Sequence, residues 1–304
     1  MFRTTLFCFI IVTVTAGAGC KRSELTVTCI DVGQGDAVLI SFPNGKHWLV
    51  DAGGNPAGDT EAGIDPGHRN VLPVLRAKAI QSLDVVVMTH PDEDHVQGML
   101  AVARHVPVGR VYWNGFEGSR TEQRVRATFG QKGTSVEAVS AGSRTNVGDV
   151  AVAVLSPPPS PILGTRSPEN ENSVILLITY RGKSILLTGD VEEAGEGELL
   201  RSAQSEVKGI SLLKVAHHGS DSSSTPDFVR RTHPGVAFIS CGKRNRYGHP
   251  SLDVIRRFEG AGTQIYRTDQ CGMLEWKSDG YSEAVATMLP CNENALRGAQ
   301  GVED

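Results

Sequence analysis

The segment Thr89-His-Pro-Asp-Glu-Asp-His-Val96 constrains this chain more than any other. It places two imidazoles (His90, His95) and two carboxylates (Asp92, Asp94) in one short turn. The apolar run Leu83-Asp-Val-Val-Val-Met88 precedes it and reads as a buried strand; Val96 to His105 reads as the helix that follows. Four ligand-type side chains at a strand end, on a loop entering a helix, suit a bound metal pair. The bland alternative is a polar loop with Asp94 capping the helix. A cap needs one acidic group and no flanking histidines, so the metal reading is favoured.

The rest of the chain alternates short strands and helices. Strands are expected over 25–30, 37–42, 47–51, 110–113, 150–155, 174–180, 184–187, 211–216, 236–240, 264–268, 272–277 and 284–289. Helices are expected over 70–80, 120–129, 192–203, 226–231 and 252–258. Gly33-Gln-Gly-Asp36 suits a tight connection between the first two strands. Residues 54–67 and 157–172 read as long polar loops. With no repeat or linker in view, this alternation implies a layered α/β body.

At 304 residues the chain suffices for one large domain or two small ones, and 39% hydrophobic with 21% charged residues fits a soluble globular body. A formal net charge of −4 gives no global attraction for nucleic acid, so any phosphate binding must come from metals or a local basic patch. The N-terminus has its own logic. Arg3, an apolar core from Leu6 to Val14 and the small-residue run ending in Cys20 resemble a bacterial lipoprotein signal. Gly17 stands where such signals carry an aliphatic residue, so an ordinary signal peptide remains open, as does a retained anchor. The expected organisation is a signal over 1–19, a linker over 20–24, one domain over 25–289 and a polar tail over 290–304. The body is expected outside the cytoplasm, lipid-anchored, secreted or periplasmic. Of the six cysteines, Cys271 and Cys291 are the guessed pair, although spacing alone decides nothing.

Five segments each end an apolar strand in ligand-capable residues: Asp51, the 90–95 turn, Thr188-Gly-Asp190, His217-His-Gly-Ser220 and Tyr247-Gly-His-Pro250. Their joint occurrence implies one sheet edge where loops converge. Together with Asp31-Val-Gly-Gln-Gly-Asp36, Asn172-Ser173 and Arg267-Thr-Asp269, they resemble the metallo-β-lactamase superfamily, and within it the metallohydrolase domain of ComEC/Rec2-type DNA-uptake proteins. The resemblance runs in order through nearly the whole chain beyond the signal. It implies a four-layer αββα sandwich with metals at one sheet edge. The membrane channel and oligonucleotide-binding domain of full-length ComEC-type proteins find no counterpart, so the chain is not expected to form a DNA pore itself.

The resemblance also implies roles. His90 and Asp92 would bind one metal, Asp94 and His95 the other, and Asp190 would bridge them. Asp92 stands where most of the superfamily has His, which makes the site richer in oxygen and Mn²⁺ a rival to Zn²⁺. Side-chain alternation along the strand ending at Ala216 favours His217 as a further ligand, in phase with Leu213 and Val215, and leaves His218 to the surrounding or the substrate. The superfamily's usual third His is missing, and Asn172 or Ser173 occupies its region. Asp51 would orient a ligand histidine or is a plain strand-ending residue, and Asp36 is either a supporting carboxylate or a turn residue. Lys243, Arg244 and Arg246 could hold a phosphate beside His249, which could protonate a leaving oxygen. A solvated basic loop is the competing reading. Asp94, His218 and His249 are the side chains expected to take part in the chemistry.

The expected function is therefore metal-dependent hydrolysis, with two divalent ions (Zn or Mn) about 3.5–4 Å apart activating a water. A phosphodiesterase or nuclease comes first. Hydrolysis of a lactone, thioester or β-lactam is the alternative enzyme, and a non-catalytic metal-binding adaptor in DNA uptake or the envelope the alternative class. The expected partner is a phosphodiester or nucleic-acid substrate, with membrane contact only through the N-terminal lipid and no obligate protein partner.

Overall fold

The computed structural model describes residues 23–54 and 65–291. The expected signal, most of the expected linker, most of the 54–67 loop and tail residues 292–304 lie outside the described residues. Fifteen strands run in chain order: β1 Leu25–Cys29, β2 Val38–Ser41, β3 His47–Val50, β4 Leu83–Met88, β5 Val108–Trp113, β6 Ser135–Ala138, β7 Arg144–Val147, β8 Val150–Ser156, β9 Ile175–Tyr180, β10 Lys183–Leu187, β11 Leu212–Lys214, β12 Val236–Ile239, β13 Gln264–Arg267, β14 Leu274–Ser278 and β15 Glu283–Thr287. They form two sheets, ordered β15-β14-β1-β2-β3-β4-β5-β6 and β13-β12-β11-β10-β9-β8-β7.

The layering follows from strands whose two faces are both apolar. In β4, Val85 and Val87 join the cluster between the sheets, with Val27, Ile40, Trp48, Leu176, Ile178, Leu187 and Phe238. Val86 and Met88 face the other way, into a cluster with Leu72, Leu75, Met99, Val102, Val125 and Phe129 from the outer helices. The second sheet repeats this: Leu177, Leu213 and Ala237 face Leu199, Phe228, Val254 and Phe258 on its own helix layer. Near-continuous Val, Ile and Leu runs are what strands buried on both faces require. The result is an αββα sandwich. Among the described residues no helix is long and apolar enough to cross a membrane.

Two strands, β6 and β7, escaped the sequence reading. Their residues, SVEA and RTNV, are mostly exposed and lie at the sheet edges, so no apolar pattern marks them. The helix expected over 70–80 is a π-helical turn, Gly67–Val71, leading into the helix Leu72–Ala77. Cys271 and Cys291, the guessed pair, form a disulfide, while Cys29 and Cys241 stay free and buried.

What positions the site is the parallel pairing within each sheet. β3, β4 and β5 run parallel, as do β10, β11 and β12. The C-terminal ends of β3, β4, β10 and β11 lead directly into Asp51, His90, Asp190 and the His217-His218 turn. Loops after the carboxyl ends of parallel strands are where α/β folds collect ligands.

Candidate metal centre

The first sheet holds its contribution with backbone contacts. Asp36 N donates to the Asp94 carbonyl and Ala52 N to the His95 carbonyl. Gly54 lies so close that an added Cβ would stand 1.6 Å from the Glu93 carbonyl oxygen; at Gly35 it would stand 2.2 Å from that of Asp94. Only glycine allows this approach. Asp51 then clamps the turn from behind. Its Oδ1 accepts from Thr89 N (2.9 Å), and its Oδ2 from Thr89 Oγ1 (2.6 Å) and His95 Nδ1 (2.7 Å). Because the Thr89 hydroxyl spends its proton on Asp51, it accepts from His90 Nδ1 at 3.0 Å. Both histidines are thereby protonated on Nδ1, and both turn Nε2 toward the centre.

The second sheet supplies Asp190 just past β10. Its backbone N–H donates to Ser173 Oγ at 3.1 Å, and Thr188 Oγ1 ties the same segment to the Lys214 carbonyl at 2.6 Å. The His217-His218 turn differs from the sequence reading. β11 stops at Lys214, and residues 216–219 form a 3₁₀ turn in which His217 and His218 both adopt positive φ, 49° and 56°. Strand alternation therefore does not extend to these histidines, and both face the same carboxylate. His218 is buried, with Nε2 3.3 Å from Asp190 Oδ2 and from Asp94 Oδ2. His217 is partly exposed, with Nε2 4.0 Å from Asp190 Oδ2 and Nδ1 3.2 Å from Glu192 Oε1.

Four imidazoles thus surround one carboxylate oxygen. Asp190 Oδ2 lies 3.3 Å from Nε2 of His95 and His218, and 4.0 Å from Nε2 of His90 and His217. His90 Nε2, His95 Nε2, His218 Nε2 and Asp190 Oδ1 are buried and make no hydrogen bond. Buried polar atoms are normally satisfied, so this convergence fits a cation that the side chains are built to receive. One ligand atom each from Asp36, His95, Asp190 and His218 lies within 4.8 Å of the others. The electrostatics agree. Burial and the nearby His95 charge push His90 down to about 4, a neutral imidazole with Nε2 bare. Burial opposes charge on His95 and His218, but Asp190, with Asp51 for the one and Asp36 for the other, outweighs it and raises both well above the usual range. Conversely, burial would raise Asp190, and His218 and His95 hold it well below the carboxylate range. The site favours positive charge, which protons or a divalent ion can supply.

A metallo-beta-lactamase superfamily model matches residues 30–243. The chain belongs to that superfamily. It is 32% identical over 277 residues to ComE operon protein 3 of Bacillus subtilis (strain 168), covering 88% of this chain and 34% of that one. It is 30% identical over 260 residues to competence protein ComA of Neisseria gonorrhoeae, covering 84% and 32%. The chain therefore spans about a third of the length of the curated relatives it matches. Among solved structures, the metallo-beta-lactamase fold protein YhfI from Bacillus subtilis shares the fold, with a TM-score of 0.50 and 14% identity over 84% of this chain and 100% of that one.

In this metallo-beta-lactamase fold the remaining sequence candidates separate. Asp92 is half-exposed, with Oδ2 3.7 Å from His90 Nε2. His249 reaches the cluster: its ring lies 5.6 Å from that of His217 and 6.3 Å from that of His218. Burial and the charges of His218 and His217 push it down to about 4. Lys243, Arg244 and Arg246 are exposed on the same loop, which Asn245 pins through the His249 backbone N–H (2.9 Å) and carbonyl (2.6 Å). Asn172 does not join the site. Its amide is spent on Ile162 and Pro168, holding the 157–171 loop in place. Asp36 is more than a turn residue: it is buried and paired with Lys214, 2.7 Å from Nζ. Glu192 and Lys214 also belong to the site. Glu192 was hidden as an ordinary helix-start acid, and Lys214 as one polar residue in an apolar strand, which is itself a usable signal.

Proposed function

We propose that this chain is a metal-dependent phosphodiesterase or nuclease working with two divalent ions, Zn²⁺ or Mn²⁺. His90 and Asp92 would hold one ion, and Asp94, His95 and His218 the other, with Asp190 between them. Bound ions would supply Lewis acidity toward the scissile group and a nucleophilic water at neutral pH. The chain's own residues do the rest. Asp51 holds His95, and through Thr89 also His90, in the tautomer that presents Nε2. His217, backed by Glu192, flanks the entrance. His249 stands where a leaving oxygen could take its proton, and Lys243, Arg244 and Arg246 offer charge to a phosphate.

The observation that carries the choice of substrate is this loop. Its three cations make no ion pair with any carboxylate among the described residues, although the chain is acidic overall, and they stand on the loop that brings His249 to the histidine cluster. The competence relatives point the same way. The disulfide fits the expected place outside the cytoplasm, where thiols are oxidised. The test is hydrolysis by the metal-loaded chain of single-stranded DNA, bis-para-nitrophenyl phosphate, a lactone and a cephalosporin. Cleavage of both phosphodiesters is expected, with His249→Ala costing about a hundredfold on DNA and less on the nitrophenyl ester, whose leaving group needs no proton. Turnover of the lactone or cephalosporin with neither phosphodiester cleaved would replace the reading by acyl hydrolysis.

A further inference from the structure

We infer that the buried Lys214–Asp36 pair is a positioning device for His218, holding a proton on Nδ1 so that Nε2, beside Asp94 and Asp190, is the nitrogen left for a metal. The inference rests on the metal-centre reading above and concerns how one ligand is prepared.

Lys214 ends β11 with its ammonium inside the protein, at 3% exposure. A buried cation persists only with close partners. Here they are Asp36 Oδ2 at 2.7 Å and the Val215 carbonyl at 2.8 Å. That contact commits one Asp36 oxygen and fixes the rotation of the carboxylate. The other oxygen, Oδ1, is buried, makes no hydrogen bond and lies 3.3 Å from His218 Nδ1. The Ser240 carbonyl takes the Nδ1 hydrogen bond at 3.0 Å, and Ser240 Oγ donates to the Gly35 carbonyl at 2.6 Å, which fastens the Asp36 loop to this strand end. Nδ1 therefore faces two electron-rich oxygens. Without its proton it would meet them lone pair to lone pair, so the tautomer with bare Nε2 is the favoured one.

The role of Lys214 follows from what a carboxamide would do in place of the Asp36 carboxylate. With the ammonium present, the amide of Asp36→Asn must turn its carbonyl oxygen toward Lys214 and its NH₂ toward His218. An N–H against an Nδ1–H works against the hydrogen bond to the Ser240 carbonyl and raises the share of the opposite tautomer, whose Nε2 carries the proton and cannot bind metal. Removing the ammonium as well frees that amide to turn back.

The test uses the full chain as Asp36→Asn and as Asp36→Asn/Lys214→Met. Zn²⁺ affinity is read by competition with a chelator, the His218 ring protonation by ¹H–¹⁵N correlation in the zinc-loaded protein, and folding by thermal melting. Asp36→Asn should bind Zn²⁺ about tenfold or more weaker, and the double variant should recover most of that loss with His218 again protonated on Nδ1. A merely structural pair would shift the melting temperature without this reversal. Wild-type affinity and ring protonation in Asp36→Asn would overturn the inference. Equal weakness of both folded variants would also overturn it, in favour of Asp36 as a direct ligand. If Asp36→Asn alone does not fold, the double variant decides: affinity near wild type supports the device, and weak binding overturns it. A wild-type chain that binds no Zn²⁺ would bring down the metal reading and this inference with it.

Discussion

The two sheets supply the candidate metal centre in different ways. The first sheet delivers four groups on one turn, His90 to His95, locked by backbone contacts to the 35–36 and 52–54 segments and by Asp51. The second delivers its groups singly, Asp190 after β10 and His217 and His218 after β11, and their spacing depends on the parallel register of those strands. One half is thus set by local geometry, the other by long-range pairing. A change in the first half should stay within the turn that Asp51 holds, whereas a change in the second should spread through the sheet that carries it.

The largest expected effect breaks the shared point of both halves. Asp190→Asn removes the charge around which four imidazoles gather, and should abolish stoichiometric metal binding by elemental analysis and cut hydrolysis by roughly a thousandfold. A variant with full metal content and near-normal turnover would show that the two halves do not meet at this carboxylate.

A second effect belongs to the second half alone. Glu196 is fully buried and accepts from the backbone N–H of Ser224 and Thr225, bracing the segment that follows the histidine turn. Burial pushes its carboxyl up from the ordinary 4.5 to about 7. The folded state therefore binds this proton more tightly than the unfolded chain. Its stabilising share is whole below pH 4.5 and lost as pH rises through about 7. Relative to Glu196→Gln, the wild type should lose about 3 kcal/mol across that window. Denaturant midpoints that run parallel for the two proteins would refute this.

The first half has its own probe in Asp51→Ala. The change frees the His95 and Thr89 contacts together and should weaken metal binding by about ten- to a hundredfold, measured by titration against a chelator. Smallest should be the loop: Lys243→Gln with Arg244→Gln should raise KM for DNA by roughly fivefold at low salt and less at high salt, since exposed charges are screened. An unchanged KM would leave these cations outside substrate binding.

The same contrast explains what could be read from the chain. The first half is legible because its ligands are contiguous and preceded by a β-branched run, LDVVVM, whose burial on both faces is itself a pattern. The layers follow from such runs for the same reason. The second half was readable as a place but not as a geometry. Alternation in β11 predicts opposite faces for His217 and His218, yet the strand ends at Lys214, three residues before His217, and positive φ angles turn both inward. Periodicity carries no information once the backbone leaves the strand. Asn172 misled by position: it sits near the site in sequence order, but its amide serves the loop around Ile162. The edge strands β6 and β7 lack a pattern because neither buries enough of itself to need one.

The disulfide between Cys271 and Cys291 reaches beyond its two sulfurs. It closes a loop of 20 residues that contains β14 and β15, and β15 is the rim of the larger sheet, paired on one side only. Just before Cys291, Leu289 N donates to the Cys271 carbonyl, so bond and backbone fasten the same corner. Cross-linking a loop of this size restrains the unfolded chain by about 3 kcal/mol. In a reducing solution that restraint disappears first at the rim. A peeled β15 would expose the backbone of β14, an adhesive border on which a second molecule could lay its own strand. Treatment with a thiol reagent should therefore loosen the outermost strand before the rest of the sheet.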